Sequence, residues 1–471
     1  AVAGGAAVRF VTPAGVRVLV LGDGSAPLVS VQAAWVARGD EADGAGDEAA
    51  PVLAALLARG TRTRSGADVA AEARAIGGTL RGFAAPGTLG LRADFLPQHL
   101  GRGLALIADC LAHPAFAEAE VDVAERARSV RARDEGRRTD AGAAAALRLL
   151  RETLWPDAAR PADATAAPAP GRFALLDRYR RRYPPSRLIV AVVGDVDPRA
   201  VAAAFAGAFP GSPAQGESRG EGQSPRPQPA SLPAAPAPSP PAAPRAEGQP
   251  LSPLPPLRGE GQGEGAPAQP ITVFRGSTGA EATAAVGYPT FPAGDPNRPA
   301  LDVLAEILAG EDGRLAAAIA REQTLACRAG AQSAAATAPG YLAVTVSCPP
   351  AQLDAAVAAA RAALARLAAD GVTPEEVARA ARRLAGARAA ALRTQMSVAD
   401  ALVRDEGDGL PILSYRRASA ALARVAAADV SRAARAALDP RREVVAVVRP
   451  AAAAPALAKT AAKPGKAESE R

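Results

Sequence analysis

VSVQAAWVARGDEADGAGDEAAPVLAALLARG, residues 29–60, is the stretch whose reading decides the fold. Apart from Gln32, its first eight residues are β-branched, aromatic or small, the composition of a buried strand. A polar loop containing Gly39-Asp40 follows. The apolar run 51–59 then reads as a helix, with Pro51 in its first turn and Gly60 just past its end as a C-cap. The same unit returns further along the chain. ATAAVGY at 282–288 reads as a strand, Gly294-Asp295 lies in the loop, and 300–309 reads as a helix closed by Gly310. The ends of the two repeats also match. Tyr183-Pro184-Pro185 precedes LIVAVVG at 188–194, and Leu438-Asp439-Pro440 precedes VVAVV at 444–448. Between these landmarks lie helical stretches at 118–133 and 373–392. The second opens on Pro374, with Glu375 and Glu376 placing negative charge at the positive end of the helix dipole. Strands and helices do not alternate strictly. The expected fold is therefore α+β: two homologous halves, each a mostly antiparallel sheet of five or six strands with helices packed on it, together forming a clamshell.

The 471 residues are enough for two to four units with cores of their own. The halves are placed at 1–210 and 270–450. Residues 211–269 are rich in Pro, Gly, Ser, Gln and Ala; PLSPLPPLRGEGQGEG at 250–265 is typical. Such a segment buries too little apolar surface to offset its ordering entropy and reads as a flexible linker. Residues 451–471 read as a disordered tail.

Aromatic residues make up 3% of the chain and alanine is abundant, so helices are expected to pack closely through small side chains. The net charge of +7 reads as an Arg-rich solvated surface, since no basic stripe interleaved with aromatics marks a nucleic-acid binder. No apolar run is long enough to span a membrane. The start at Ala1 without Met suggests a removed leader, and with it an exported, periplasmic protein. Cys110, Cys327 and Cys348 are an odd number and lack CxxC spacing. They read as small buried residues, with a bridge of the Cys110–Cys348 type left open.

Several short motifs, in their order and spacing, carry a family resemblance. They are Arg59-Gly60-Thr61 followed by Ser65, Ile76-Gly77-Gly78, LAHPAF at 111–116, Val193-Gly194-Asp195, and Gly313-Arg314-Leu315. Over both halves the chain resembles the insulinase/pitrilysin family of zinc peptidases, which includes the mitochondrial processing peptidase and core proteins of the respiratory cytochrome bc complex. In working members the helix before that Gly-Thr carries an inverted HxxEH. Two histidines one turn apart hold zinc, and the glutamate between them polarises the metal-bound water. At those positions this chain has Pro51, Ala54 and Ala55. None of the three can ligate a metal or accept a proton. The family's third ligand, a glutamate, aligns near Arg133 or Asp134. The resemblance thus implies a zinc cofactor in the family, and the substitutions predict its absence here.

The chain's two histidines, His99 in FLPQHL and His113 in LAHPAF, lack a partner one helical turn away and read as structural or surface residues. Working members also bind substrate through an Arg and a Tyr of the second half. Counted from Arg314-Leu315, these positions hold Ala320 and Cys327, with Arg321 as a stand-in one residue away. No phosphate loop or supported nucleophile–base pair occurs. The acidic pairs Asp134-Glu135 and Asp405-Glu406 read as solvated, and Glu375-Glu376 as helix-start charges. The resemblance implies a non-catalytic pseudo-peptidase subunit that pairs with a zinc-bearing homologue around an extended peptide substrate. The alternative is an active hydrolase with an unidentified or shared site.

Overall fold

The first half runs β1 (Ala7–Val11), β2 (Arg17–Gly22), β3 (Val29–Val36), α1 (Ala50–Leu57), α2 (Gly66–Ala75), β4 (Thr79–Ala85), β5 (Thr88–Phe95), α3 (Leu100–Ala112), α4 (Glu118–Arg137), α5 (Ala141–Leu154), α6 (Arg172–Arg182), β6 (Leu188–Gly194) and α7 (Pro198–Ala208). The second runs β7 (Ile271–Ser277), β8 (Ala282–Thr290), α8 (Arg298–Ala309), α9 (Arg314–Arg321), β9 (Arg328–Ala334), β10 (Gly340–Cys348), α10 (Leu353–Asp370), α11 (Pro374–Ala391), α12 (Gln395–Gly407), α13 (Ser414–Ala423), α14 (Ala427–Ala437) and β11 (Val444–Pro450). This computed structural model describes residues 7–36, 49–85, 87–137, 141–155, 171–209, 271–277, 279–310, 313–321, 326–334 and 340–450. The expected linker at 211–269, the tail at 451–471 and the Gly39-Asp40 loop lie outside the described residues.

Two sheets form, in the orders β1-β2-β6-β3-β5-β4 and β7-β11-β8-β10-β9. Each holds one parallel pair, β2 with β6 and β7 with β11, and is otherwise antiparallel. The expected α+β architecture with two topologically matching halves is thus what the chain adopts. The β-branched run of β6 is buried along its whole length, as a central strand covered on both faces must be.

Each sheet packs one face on its own helices. In the first half, Val18, Val20, Val31 and Val192 meet Leu53 and Leu57 of α1, Leu104 of α3 and Phe205 of α7. The other face is covered by a helix from the opposite half. Leu19, Leu21, Ile189 and Val193 pack on Val398, Leu402 and Val403 of α12. Ala285, Ala343, Val444 and Val448 of the second sheet pack on Ala146, Leu150 and Leu154 of α5. A sheet with two apolar faces needs two covering layers. Here the halves supply each other's second layer by reciprocal exchange of one helix.

Polar bonds fix the exchanged helices in register. Arg92 Nη2 donates to Asp400 Oδ1 at 3.0 Å, and Gln32 Nε2 to the same oxygen at 2.5 Å. Arg9 and Arg17 both reach Glu406, at 2.9 and 3.1 Å. On the other side Arg275 pairs with Glu152 of α5 at 2.6 Å. This corrects the reading of Asp405-Glu406 as a solvated acid pair. Asp405 is buried and accepts the Tyr415 backbone N–H at 3.0 Å, while Glu406 ties the halves together.

The cysteines need a second correction. Cys327 is bonded to Cys348, and Cys110 is free and buried. The antiparallel register of β9 on β10 sets Arg328 opposite Ser347, so the flanking cysteines face each other with Cα atoms 4.5 Å apart. That proximity comes from strand pairing, which spacing along the chain does not reveal.

Candidate functional site

The site that the sequence singles out lies on α1. Pro51 occupies the first turn, where its missing N–H leaves no hydrogen bond unmade. Pro51 is exposed, Ala55 one turn later is half-buried, and Ala54 is buried against the core. The helix is held very close to strand β4. A Cβ placed on Gly82 would come within 1.6 Å of the Ala54 carbonyl oxygen, so only glycine permits this approach.

The motif residues around α1 have structural duties. Gly60, with φ of +124°, turns the chain out of the helix and bridges to Ser65. Its carbonyl accepts the Ala115 N–H at 3.1 Å, and the His113 carbonyl accepts the Arg62 N–H at 3.0 Å. Arg59-Gly60-Thr61 and LAHPAF therefore form one stitched corner. Ser65 opens α2 through a capping box with Asp68. Gly77 adopts φ of +67°, and at Gly78 a Cβ would lie 2.3 Å from the Asp94 carbonyl oxygen.

The histidines take supporting places. His113 ends α3, its Nδ1 3.3 Å from Asp109 Oδ1. His99 is half-buried in the short 3₁₀ turn before α3. Asp109 is also engaged by Arg64 at 2.5 Å, so neither it nor His113 is directed at α1. Cys110 lies beside them; burial, and then the Asp109 charge, push its thiol up to about 12. A neutral thiol of that kind is a poor nucleophile at neutral pH.

The fit of a metal can be judged from the donor set. A pyrrolidine ring and two methyl groups at Pro51, Ala54 and Ala55 offer no lone pair. Among the described residues no group of three or more His, Cys, Asp and Glu could hold a metal ion. The residues present do not fit zinc. Arg133 and Asp134 fall near the end of α4, and their side chains lie outside the described residues, as does Glu135.

In the second half, Arg321 is the last residue of α9, and its side chain and that of Ala320 lie outside the described residues. Cys327, at the family's Tyr position, is taken by the disulfide. Arg314 is engaged in a two-pronged pair with Glu376 at 2.9 and 2.8 Å, which holds the Glu376 carboxyl below its ordinary range. Glu376 also closes the capping box at Thr373, as expected of a helix-start charge.

A feature the sequence did not reveal is a cleft of about 510 Å³ where the halves meet, beside the N-terminus of α12. Asp23, Ser30 and Asp94 line it from the first half, Thr394 and Gln395 from the second. Gln395 Nε2 donates to the Asp23 carbonyl at 3.0 Å. The cleft exists because of the helix exchange, so no local pattern announces it.

Known proteins resemble the chain in family and in fold. The model of the insulinase family (peptidase M16) matches residues 44–155, and the model of the peptidase M16 inactive domain matches residues 172–384. An uncharacterized zinc protease of Mycobacterium leprae is 32% identical over 198 residues, 40% of this chain and 43% of that protein. The chain thus spans under half the length of that curated relative. The peptidase M16 inactive domain from Pseudomonas fluorescens superposes with a TM-score of 0.69 at 17% identity, over 94% of this chain and 98% of that one. A protease from Helicobacter pylori gives 0.70 at 14% identity, over 95% and 100%. The periplasmic protease PqqL from Escherichia coli gives 0.63 at 14% identity, over 96% of this chain and 46% of that one.

Proposed function

Because this chain belongs to the insulinase family, we propose that it is a non-catalytic member. In this reading it pairs with a zinc-bearing homologue and helps to enclose an extended peptide. The observation that carries the proposal is α1 itself: it packs closely on β4 at Gly82, while the positions for two ligands and a base hold Pro51, Ala54 and Ala55. The helix keeps its place in the fold and has no group with which to activate water.

The chain's own residues would then act by shape and hydrogen bonding. The outer edge of β4, with Thr79, Arg81, Ala84 and Ala85 exposed, offers backbone groups to an added strand. Among the described residues no helix is long and apolar enough to cross a membrane. The Cys327–Cys348 bond suits an oxidising compartment, which supports an exported, periplasmic setting.

The experiment is to co-express the chain with a zinc-bearing relative from the same genome. Complex mass and peptide cleavage are then measured for each chain alone and for the pair. The expected result is a complex whose turnover exceeds that of the relative alone, no cleavage by this chain alone, and no stoichiometric zinc in it by elemental analysis. Cleavage by this chain alone, or no complex at micromolar concentration, would overturn the proposal.

A further inference from the structure

The two sheets differ at one edge. In the first, β1 pairs antiparallel with the outer side of β2, from Ala7 opposite Leu21 to Val11 opposite Arg17. In the second sheet β7 holds the place of β2, running parallel to β11 as β2 runs parallel to β6. Among the described residues no strand pairs with the outer side of β7.

Burial follows the same contrast. β2 is buried from Arg17 through Leu21, whereas every residue of β7 is at least partly exposed. Ile271 is 41% and Phe274 56% exposed. Phe274 lies in register with Val447, on the face that carries the second half's own helices. On the matching face of the first sheet, Val18 and Val20 lie in one core with Val201 and Phe205 of α7.

The chain on either side of the second half is ill suited in composition to supply the missing strand. Ahead of β7, where β1 stands ahead of β2, residues 261–270 read GQGEGAPAQP, with three Gly and two Pro. Such residues pack no side chain or donate no hydrogen bond within a ladder. After β11, residues 451–464 read AAAAPALAKTAAKP, without Val, Ile or an aromatic.

A second copy of β7 suits the edge well. The strand is seven residues long and centred on Phe274. A two-fold axis there sets Ile271 against Ser277, Thr272 against Gly276, Val273 against Arg275, and Phe274 against its counterpart. The polarity is antiparallel, as for β1 on β2. The strand's one charge, Arg275, already pairs with Glu152 at 2.6 Å and would face Val273, so no like charges meet. We propose that the chain forms a homodimer by antiparallel pairing of β7 with β7 of a second copy, joining two five-stranded sheets into one. The contact is isologous and closes at two copies. It is independent of the partnership proposed above.

The test uses the full chain alone, by sedimentation velocity from sub-micromolar to hundreds of micromolar. The expected result is a reversible monomer–dimer equilibrium, with hydrogen exchange over 271–277 slowing as dimer accumulates. Phe274→Arg and Phe274→Asp should each raise the dissociation constant about tenfold or more. Mixing the two variants should restore the dimer, because opposite charges then meet at the axis. Phe274 is more than half exposed, so at concentrations where the wild type is monomeric both variants should keep its melting temperature. A monomer at all concentrations would overturn the proposal. So would a dimer indifferent to both variants, a mixture that stays monomeric, or protection of 271–277 that is already complete in the monomer.

Discussion

Replacing Leu402 by alanine tests whether the exchanged helices make the two halves one cooperative unit. Leu402 is fully buried, on a helix of the second half, among strands of the first. Removing a buried leucine side chain destabilises by about 2–5 kcal/mol through lost burial and the cavity left behind; about 3 kcal/mol is taken here. The shift in melting temperature depends on the size of the unit that melts. Unfolding entropy is about 2.1 cal/mol/K per residue. For a unit of roughly 400 residues this gives about 0.8 kcal/mol/K, so the shift is about 4 °C. For a half of roughly 200 residues melting alone, the same loss gives about 7 °C, and the other half does not move. Because each sheet borrows its second layer from the other half, neither half can melt without uncovering the other. Calorimetry of the variant should therefore show a single transition lowered by about 4 °C, with a calorimetric enthalpy matching the whole chain. Two transitions, one displaced by about 7 °C and one fixed, would refute the reasoning.

Other perturbations follow from the same geometry. Gly82→Ala should destabilise by at least about 3 kcal/mol in chemical denaturation, since the new methyl meets the Ala54 carbonyl and both elements are backbone-locked. Asp408 is raised to about 6 by burial and by the Asp405 charge. Its folded state therefore holds the proton more tightly than the unfolded chain. That contribution is full below the unfolded value near 3.8 and is lost as pH rises through about 6. Asp408→Asn should accordingly gain about 1 kcal/mol over the parent at pH 7, allowing for screening, and nothing well below the unfolded value, at about pH 3. Reducing Cys327–Cys348, which closes a separation of 21 residues, should lower stability by about 2–3 kcal/mol. Under denaturing, non-reducing conditions a thiol reagent should label Cys110 alone.

What could be read from the sequence was what is fixed locally. The strand at Val29–Val36, the closing strands at Leu188–Gly194 and Val444–Pro450, and the paired helices with glycine after them declare themselves by composition and caps. The start of α11 was legible because Thr373, Pro374 and Glu376 are neighbours in the chain. Boundaries were less so. α4 runs to Arg137, where 133 was expected; its mean hydropathy is low and side-chain pairs such as Glu125 with Arg128 help to sustain it. The helix exchange, the ties of Asp400 and Glu406, and the cysteine pairing depend on contacts hundreds of residues apart or on strand register. Such contacts leave no periodic trace. At the candidate site the identities of Pro51, Ala54 and Ala55 could be read by counting from Gly60, whereas their surroundings could not. That β4 lies against the Ala54 carbonyl required the structure, and so did the engagement of Asp109 by Arg64.

The motifs that carry the family resemblance bear on a different question from activity. Gly60, Thr61 and the LAHPAF turn hold one corner together. Gly77 and Gly78 permit a turn and a close approach, and Arg314 is anchored to Glu376. Each has a packing or hydrogen-bonding duty that a folded chain needs whether or not it cleaves peptides. Pro51 and Ala55 have little such duty: one is exposed at a helix start and the other is half-buried. Ala54 is buried but small, and its carbonyl, not its side chain, makes the contact with β4. Where working members place two ligands and a base, small side chains at these three positions therefore disturb the fold little and offer neither metal donor nor base. Restoring His at 51 and 55 with Glu at 54 would ask little of the helix at the two outer positions. The buried 54 position would resist, because a carboxylate there must be paired or left wet.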